Sequence, residues 1–216
     1  MGKMTKGEMT KEKILTSAKA LFYDRGYEAT TIQQIASHSG TTLGSMTYHF
    51  ATKATFIERI FGDFFKNISA ALREEQFERW NSFEQHFRLT LVYYQNLLSD
   101  PKTKRFYYEV FKNDVLALTL HHNISQLYLN FIEEYGLRIR PVEFEALITA
   151  DFGARRECIL SYCENRMTMP VEDFAIFLLT NTARMLGIPE REIYKVSYQS
   201  ILFFRANDFS GVQLLK

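Results

Sequence analysis

Cysteine, proline and long apolar runs are scarce in this 216-residue chain. The two cysteines, Cys158 and Cys163, lie five apart in a helical register and point to different faces. No disulfide is expected between them, and a reducing, cytoplasmic setting is. Four prolines and ten glycines are few for an all-β or linker-rich protein, which leaves long helices as the expectation. No apolar stretch reaches the roughly 18 residues that cross a bilayer. The basic opening MGKMTKGEMTKEK has no apolar run behind it, unlike a secretory signal, so no membrane partner is expected.

The signatures of catalysis are missing too. There is no HExxH, no GxSxG and no glycine-rich phosphate loop. His121 and His122 are adjacent, so on a helix they diverge and make a poor metal pair. His38 and His86 have no carboxylate or cysteine at ligand spacing, and Cys158 lacks a sequence setting that would activate a thiol. No catalytic residue, metal or cofactor is expected, and the chain does not read as an enzyme.

What is present is a large apolar fraction, 46%, beside 24% charged residues, enough for a sizeable core. Net charge is +1, unevenly spread: residues 1–60 hold eight Lys/Arg against five Asp/Glu, and the remainder is slightly acidic. That asymmetry points weakly to a nucleic-acid partner at the N-terminal end, although a solvated basic arm explains it almost as well.

Ile14, Leu15, Ala18, Leu21 and Phe22 recur at helical spacing, predicting a helix over 9–25 closed by an αL cap at Gly26. Thr30 with Gln33 reads as a capping box opening a second helix, which Ser39-Gly40 ends. Thr41 or Thr42 caps a third, short helix to about Tyr48. Thr52 caps a long fourth, with Phe56, Ile57, Ile60, Phe61, Phe64 and Phe65 as its apolar positions. Helical patterns follow over 81–98, 102–118, 122–137, 141–165, 170–187 and 190–206. Asp100-Pro101, Gly136, Pro141, Pro170 and Gly187-Ile188-Pro189 punctuate them as stop signals. The expected fold is all-α, with about ten helices.

The stretch SGTTLGSMTYHFATK, Ser39 to Lys53, is unusual for a structural helix: four threonines, two serines and two glycines precede and surround a Tyr-His-Phe cluster. Two short helices joined at a glycine turn form a helix-turn-helix, whose second helix enters a major groove. Thr42, Gly44 and Ser45 are small enough to let backbone and hydroxyls approach DNA. Tyr48 and His49 carry polar tips suited to phosphate oxygens, and Lys53 sits at a helix N-terminus that favours anions. Met46 and Phe50 point inward. On composition alone, a plain loop between helices remains the competing reading.

Residues 14–61, ILTSAKALFYDRGYEATTIQQIASHSGTTLGSMTYHFATKATFIERIF, resemble the DNA-binding domain of the TetR family of bacterial transcriptional regulators. The features that carry the resemblance are Ala18, Leu21 and Phe22, Gly26, Thr30-Thr31, Ile35-Ala36, Gly40, Gly44, Tyr48-His49-Phe50 and Thr52-Lys53. They cover about a quarter of the chain. The resemblance implies a helix-turn-helix domain over 1–51 and a larger helical effector-binding and dimerisation domain over 52–216. It implies a homodimer on a near-palindromic double-stranded operator, with Thr42, Leu43, Gly44 and Ser45 toward bases. It also implies Thr31, Thr47, Tyr48, His49 and Lys53 near phosphates. Two departures stand out. Met46-Thr47 replaces the usual Leu-Tyr pair, so Thr47 reaches less far. Leu43 occupies a DNA-facing position that is often polar. Helical spacing with Met46 and Phe50 would bury Leu43; the resemblance favours exposure, where it would meet a thymine methyl.

The resemblance further implies a small-molecule effector in the larger domain. Aromatics crowd its middle helices, and Phe87, Tyr94, Tyr107, Tyr108, Phe111 and Tyr128 are candidate effector contacts for a largely apolar or aromatic ligand, with ordinary core packing as the alternative. The helices over 141–165 and 170–187 are the expected dimer helices. Ala146, Ala150 and Ala154 form a small-residue stripe, joined by Phe177 and Asn181 as dimer candidates, with intramolecular packing as the alternative. The last helix either covers that face or completes the core, and Trp80 lies near the junction of the two parts. The functional expectation is a repressor released from DNA by its effector. A protein-interaction module or co-activator without operator binding is the alternative that Thr47 leaves open.

Overall fold

The computed structural model of the chain describes residues 5–73, 79–115 and 117–216, with the backbone alone for 73 and 117–123. Among the described residues there are ten helices and no strand. Helices α1 (Lys6–Arg25), α2 (Ile32–Ser39) and α3 (Leu43–His49) form an N-terminal unit, and α4 (Lys53–Arg73) leads out of it. Helices α5 (Ser82–Leu98), α6 (Pro101–Lys112), α7 (Ala117–Glu134), α8 (Pro141–Cys163), α9 (Val171–Leu186) and α10 (Glu190–Ala206) build the larger body. The side chains of His121 and His122 lie outside the described residues.

Local chemistry sets the helix ends, and several differ from the sequence expectation. α1 begins earlier than residue 9, because the Thr5 hydroxyl accepts the Glu8 N–H at 3.2 Å and the Glu8 carboxylate accepts the Thr5 N–H at 2.7 Å. The capping box of α2 is Thr31 with Gln34, one residue beyond the expected pair. Thr30 is instead buried, and its hydroxyl donates to the Gly26 carbonyl at 2.7 Å, satisfying an oxygen that the turn would otherwise strand. Thr42 caps α3, while the Thr41 and Ser39 hydroxyls pair with each other at 2.8 Å. Gly26 is not an αL cap: at φ 91° and ψ 172° it occupies a region that only glycine enters readily. Pro101 and Pro141 sit in the first turn of α6 and α8, and Pro170 and Pro189 immediately precede α9 and α10, so the prolines open helices as much as they end them. α6 stops at Lys112, short of residue 118, as Asp114 turns to φ 53°.

α5 is the central helix, packed against α4, α6, α7, α9 and α10. The N-terminal unit is joined to the body through aromatic rings. Phe22 of α1 lies 5.4 Å from Phe106 of α6 and 6.3 Å from Phe56 of α4, and Phe61 of α4 lies 6.3 Å from Phe106. Each ring is buried, which contributes about 1.5–3 kcal/mol per side chain. The segment after α10 folds back, burying Val212, Leu214 and Leu215 and setting the Lys216 ammonium 4.6 Å over the ring of Tyr23 on α1.

Candidate nucleic-acid interface and apolar cavity

The α2–α3 turn is made by Gly40 in the αL conformation, φ 61° and ψ 35°. Met46 and Phe50 are buried, and the Phe50 ring stacks on Phe56 with centroids 4.1 Å apart. Those two anchors orient α3. Thr42, Leu43, Gly44, Thr47 and Tyr48 face outward, Ser45 and His49 are half-buried, and Thr31 is exposed at the start of α2. Leu43 is 47% exposed and Tyr48 84%, so neither contributes much to the core. A Cβ on Gly44 would meet no atom within 4 Å, so packing does not demand glycine there; its lack of a side chain clears the outer face. The Thr47 hydroxyl donates within its own helix, to the Leu43 carbonyl at 3.0 Å.

Two lysines of α1 also border this face. Lys11 lies 5.7 Å over the Phe50 ring, and the Lys13 ammonium comes within 3.5 Å of where a Gly40 Cβ would stand. In the sequence they are two basic residues among several, with nothing but tertiary packing to bring them beside α3.

Lys53 is tied inward. Its ammonium donates to the carbonyls of Tyr27 at 2.7 Å and Thr30 at 3.1 Å, and lies 4.0 Å over the Tyr27 ring. Desolvation lowers its pKa, an effect partly countered by Glu109 and Glu28. From the other side, Glu109 of α6 accepts the Glu28 N–H at 2.8 Å, and Asn113 reaches the Glu28 carboxylate at 3.0 Å. The α1–α2 turn is therefore held by α4 and α6 together.

Those same two helices wall a cavity of about 610 Å³ inside the larger body. Phe61 and Phe65 of α4, Tyr107 and Phe111 of α6, Ile124 and Leu127 of α7, and Phe152 and Ile159 of α8 give it a mostly apolar lining. Of the six side chains singled out from the sequence, Tyr94, Tyr107 and Phe111 line it. The other three do not. Phe87 is buried in the core on another face of α5. Tyr128 donates its hydroxyl to Asp151 at 2.7 Å, and Tyr108 reaches the surface carboxylate of Glu164 at 2.9 Å.

Polar groups gather along one face of α5. His86, Thr90 and Tyr94, one turn apart each, all line the cavity. Opposite them, Arg155 of α8 donates to the Tyr94 hydroxyl at 3.3 Å, to Thr182 at 2.6 Å and to Asp151 at 3.4 Å. Burial, with the Arg155 charge nearby, pushes the His86 imidazole down to about 3, so it is neutral near pH 7. Burial likewise raises the Tyr94 hydroxyl. A second, more open cleft of about 410 Å³ lies between the α5–α6 junction and the 207–216 segment. Neither α3 nor this polar cluster contributes to its lining.

On the outer surface, Ala146, Ala150 and Ala154 of α8 are exposed, with Phe177 exposed and Asn181 half-buried on α9. α10 buries Ile193, Val196, Ser197 and Ser200, and presents Tyr194, Tyr198 and Leu202, 73%, 65% and 50% exposed, on its other face. Among the described residues no cluster of side chains suits a metal ion, and no helix is long and apolar enough to cross a membrane.

Residues 14–60 match the family model of bacterial regulatory proteins, tetR family. The chain is 37% identical over 54 residues to the transcriptional repressor KstR2 of Mycolicibacterium smegmatis, a match covering 25% of this chain and 26% of that protein. It is 29% identical over 133 residues to the transcriptional regulator QacR of Staphylococcus aureus, covering 58% of this chain and 66% of QacR. The chain thus spans between a quarter and about two thirds of the length of these relatives. Among solved structures, RolR in complex with resorcinol superposes with a TM-score of 0.60 at 20% identity, over 89% of this chain and 94% of RolR. SmeT, the repressor of the Stenotrophomonas maltophilia multidrug efflux pump SmeDEF, follows at 0.58 and 15% identity, over 81% and 88%. These likenesses share the all-helical fold with its N-terminal helix-turn-helix.

Proposed function

We propose that this chain, whose residues 14–60 match the family model of bacterial regulatory proteins, tetR family, is a transcriptional repressor that binds a near-palindromic DNA operator as a homodimer and is released by a small, largely apolar or aromatic effector. The observation that carries this reading is the division of labour in α3. Met46 and Phe50 hold the helix, while Leu43, Gly44, Thr47 and Tyr48 stand outward with no part in the core. A seven-residue helix with a large exposed tyrosine has no stability reason to be built that way.

In this reading Thr42, Leu43, Gly44 and Ser45 meet base edges, and Thr31, Thr47, Tyr48 and His49 meet phosphates, joined by Lys11 and Lys13. Lys53 has two roles: it pins the α1–α2 turn to α4 and keeps one N–H for the DNA backbone. The exposed small-residue stripe of α8, with Phe177 and Asn181, forms the dimer face, to which the tyrosines of α10 add.

The effector acts through the shared walls. α4 and α6 both line the cavity and both grip the α1–α2 turn, so a molecule seated there changes the angle at which the reading helices are presented. Operator binding requires the two helices to be about 34–36 Å apart, one turn of DNA. The effector must therefore favour the DNA-incompetent spacing, and operator must weaken effector binding by the same factor. SmeT, a repressor, and RolR, which binds resorcinol in its solved complex, fit this reading.

The test is binding of the purified protein to DNA from around its own gene, across a range of salt, beside Tyr48→Ala. Selective, salt-dependent binding that weakens in the variant supports the regulator. Absence of selective binding at every salt concentration, with capture of a stable protein partner, would assign the chain to an interaction module instead.

A further inference from the structure

The buried charges of the cavity are all paired within the protein. Arg156 and Asp114 pair with each other at 3.2 Å in a half-exposed position, and Glu58 is exposed. Deeper in, the Arg155 guanidinium is balanced by Asp151, whose oxygens also receive the hydroxyls of Tyr128 and Thr182. His86 carries no charge near pH 7. The remaining wall is aromatic and aliphatic. A charged ligand that enters the buried part of this space gives up its hydration and finds no unpaired opposite charge there to replace it, since Glu58 stands at the exposed side.

The polar face nevertheless has unused capacity. His86 Nε2 and Arg155 Nε are buried and without a hydrogen-bond partner, although both side chains line the cavity. The contact of His86 Nδ1 with the Thr90 hydroxyl is long, 3.4 Å. Buried polar nitrogens are nearly always paired, so two orphans on residues that line one cavity mark where a ligand's polar group completes the set.

We propose that the effector is an uncharged aromatic molecule of at least two rings, bearing a hydroxyl or carbonyl that engages the His86–Arg155 face while its rings lie among Phe61, Phe65, Tyr107 and Phe111. This rests on the reading of the cavity as the effector site. The volume of about 610 Å³ falls within the usual range for drug-sized ligands, roughly 300–1,000 Å³, and exceeds what a single ring fills. A neutral imidazole both donates and accepts, so it serves a hydroxyl as well as a carbonyl.

An isosteric series isolates the head group: 2-naphthol, naphthalene, 2-naphthoate and trimethyl(2-naphthyl)ammonium, each titrated calorimetrically into the full-length protein at pH 7.5. 2-Naphthol is expected to bind roughly tenfold or more tightly than each of the other three, the advantage of a few net hydrogen bonds over naphthalene. His86→Phe should remove most of its lead over naphthalene while leaving naphthalene unchanged. Leu89→Trp, which fills the cavity from α5, should abolish binding of all four. Preference for the carboxylate or the ammonium, with Leu89→Trp still blocking, overturns the ligand class and leaves the effector site standing. Binding unaffected by Leu89→Trp overturns the site itself. Failure of 2-naphthol to bind at its solubility limit also overturns the proposal.

Discussion

The Glu109 carboxylate of α6 accepts the backbone N–H of Glu28 at 2.8 Å, across 81 residues of sequence, and presses against Gly26, where a Cβ would lie 2.7 Å from both carboxylate oxygens. Gly26→Ala therefore meets two penalties, a positive φ and a clash. We expect it to cost about 1–3 kcal/mol in urea unfolding. Glu109→Ala alone frees an N–H near the surface and should cost about 1 kcal/mol. The double variant should cost less than the sum, because only the backbone strain remains. Additive costs would mean the carboxylate swings away freely and does not brace the turn.

Tyr48 is nearly free of the protein, so Tyr48→Ala should leave the melting temperature within about 1–2 °C of the original. Operator affinity should fall roughly tenfold, consistent with loss of a charge-assisted hydrogen bond to phosphate. Fluorescence anisotropy on a labelled operator reads this directly. A melting shift matching the affinity loss would point to a structural role.

Leu43 is half-exposed on the leading turn of α3, which fits a contact with a thymine methyl. Replacing the contacted thymine with uracil should weaken binding several-fold, and Leu43→Ala should erase the difference between the two operators. Equal affinity for thymine and uracil operators in the original protein would remove the assignment.

Burial and Arg155 lower the His86 pKa to about 3, and Asp151 opposes them; the Phe131 and Tyr128 rings and the Thr90 hydroxyl are its other neighbours. The folded state thus binds fewer protons than the unfolded state between about pH 6.5 and 3. Stability present above pH 6.5 is lost as pH falls, by at most about 1.4 kcal/mol per unit. His86→Phe should flatten that part of the profile in denaturation series from pH 7.5 to 4.5. An unchanged slope would mean the imidazole gains water or a proton partner in solution.

The exposed stripe Tyr194, Tyr198 and Leu202 is wide enough to matter in assembly. Tyr194→Glu with Tyr198→Glu should shift sedimentation from dimer to monomer at micromolar concentration, with little change in helicity. A dimer that survives both changes would confine the interface to α8 and α9.

Much of this architecture was written into local chemistry. Periodic apolar positions such as Ile14, Leu15, Ala18, Leu21 and Phe22 carry their helices, because burying one face is dictated by spacing alone. The short helix α3 was equally legible, since small and hydroxyl-bearing residues with an exposed tyrosine surround only two core anchors there, Met46 and Phe50. Cap positions slipped by one residue at Thr30 and Thr31, because both threonines can cap and only the burial of Thr30 chooses between them. What lies beyond one helix was decided by tertiary packing. Phe87, Tyr94 and Tyr128 look alike in sequence, yet one fills the core, one lines the cavity and one serves a buried carboxylate. Lys53 likewise turns inward to carbonyls that precede it by more than twenty residues. A side chain's destination depends on which distant surface reaches it, and that is set only when the helices assemble.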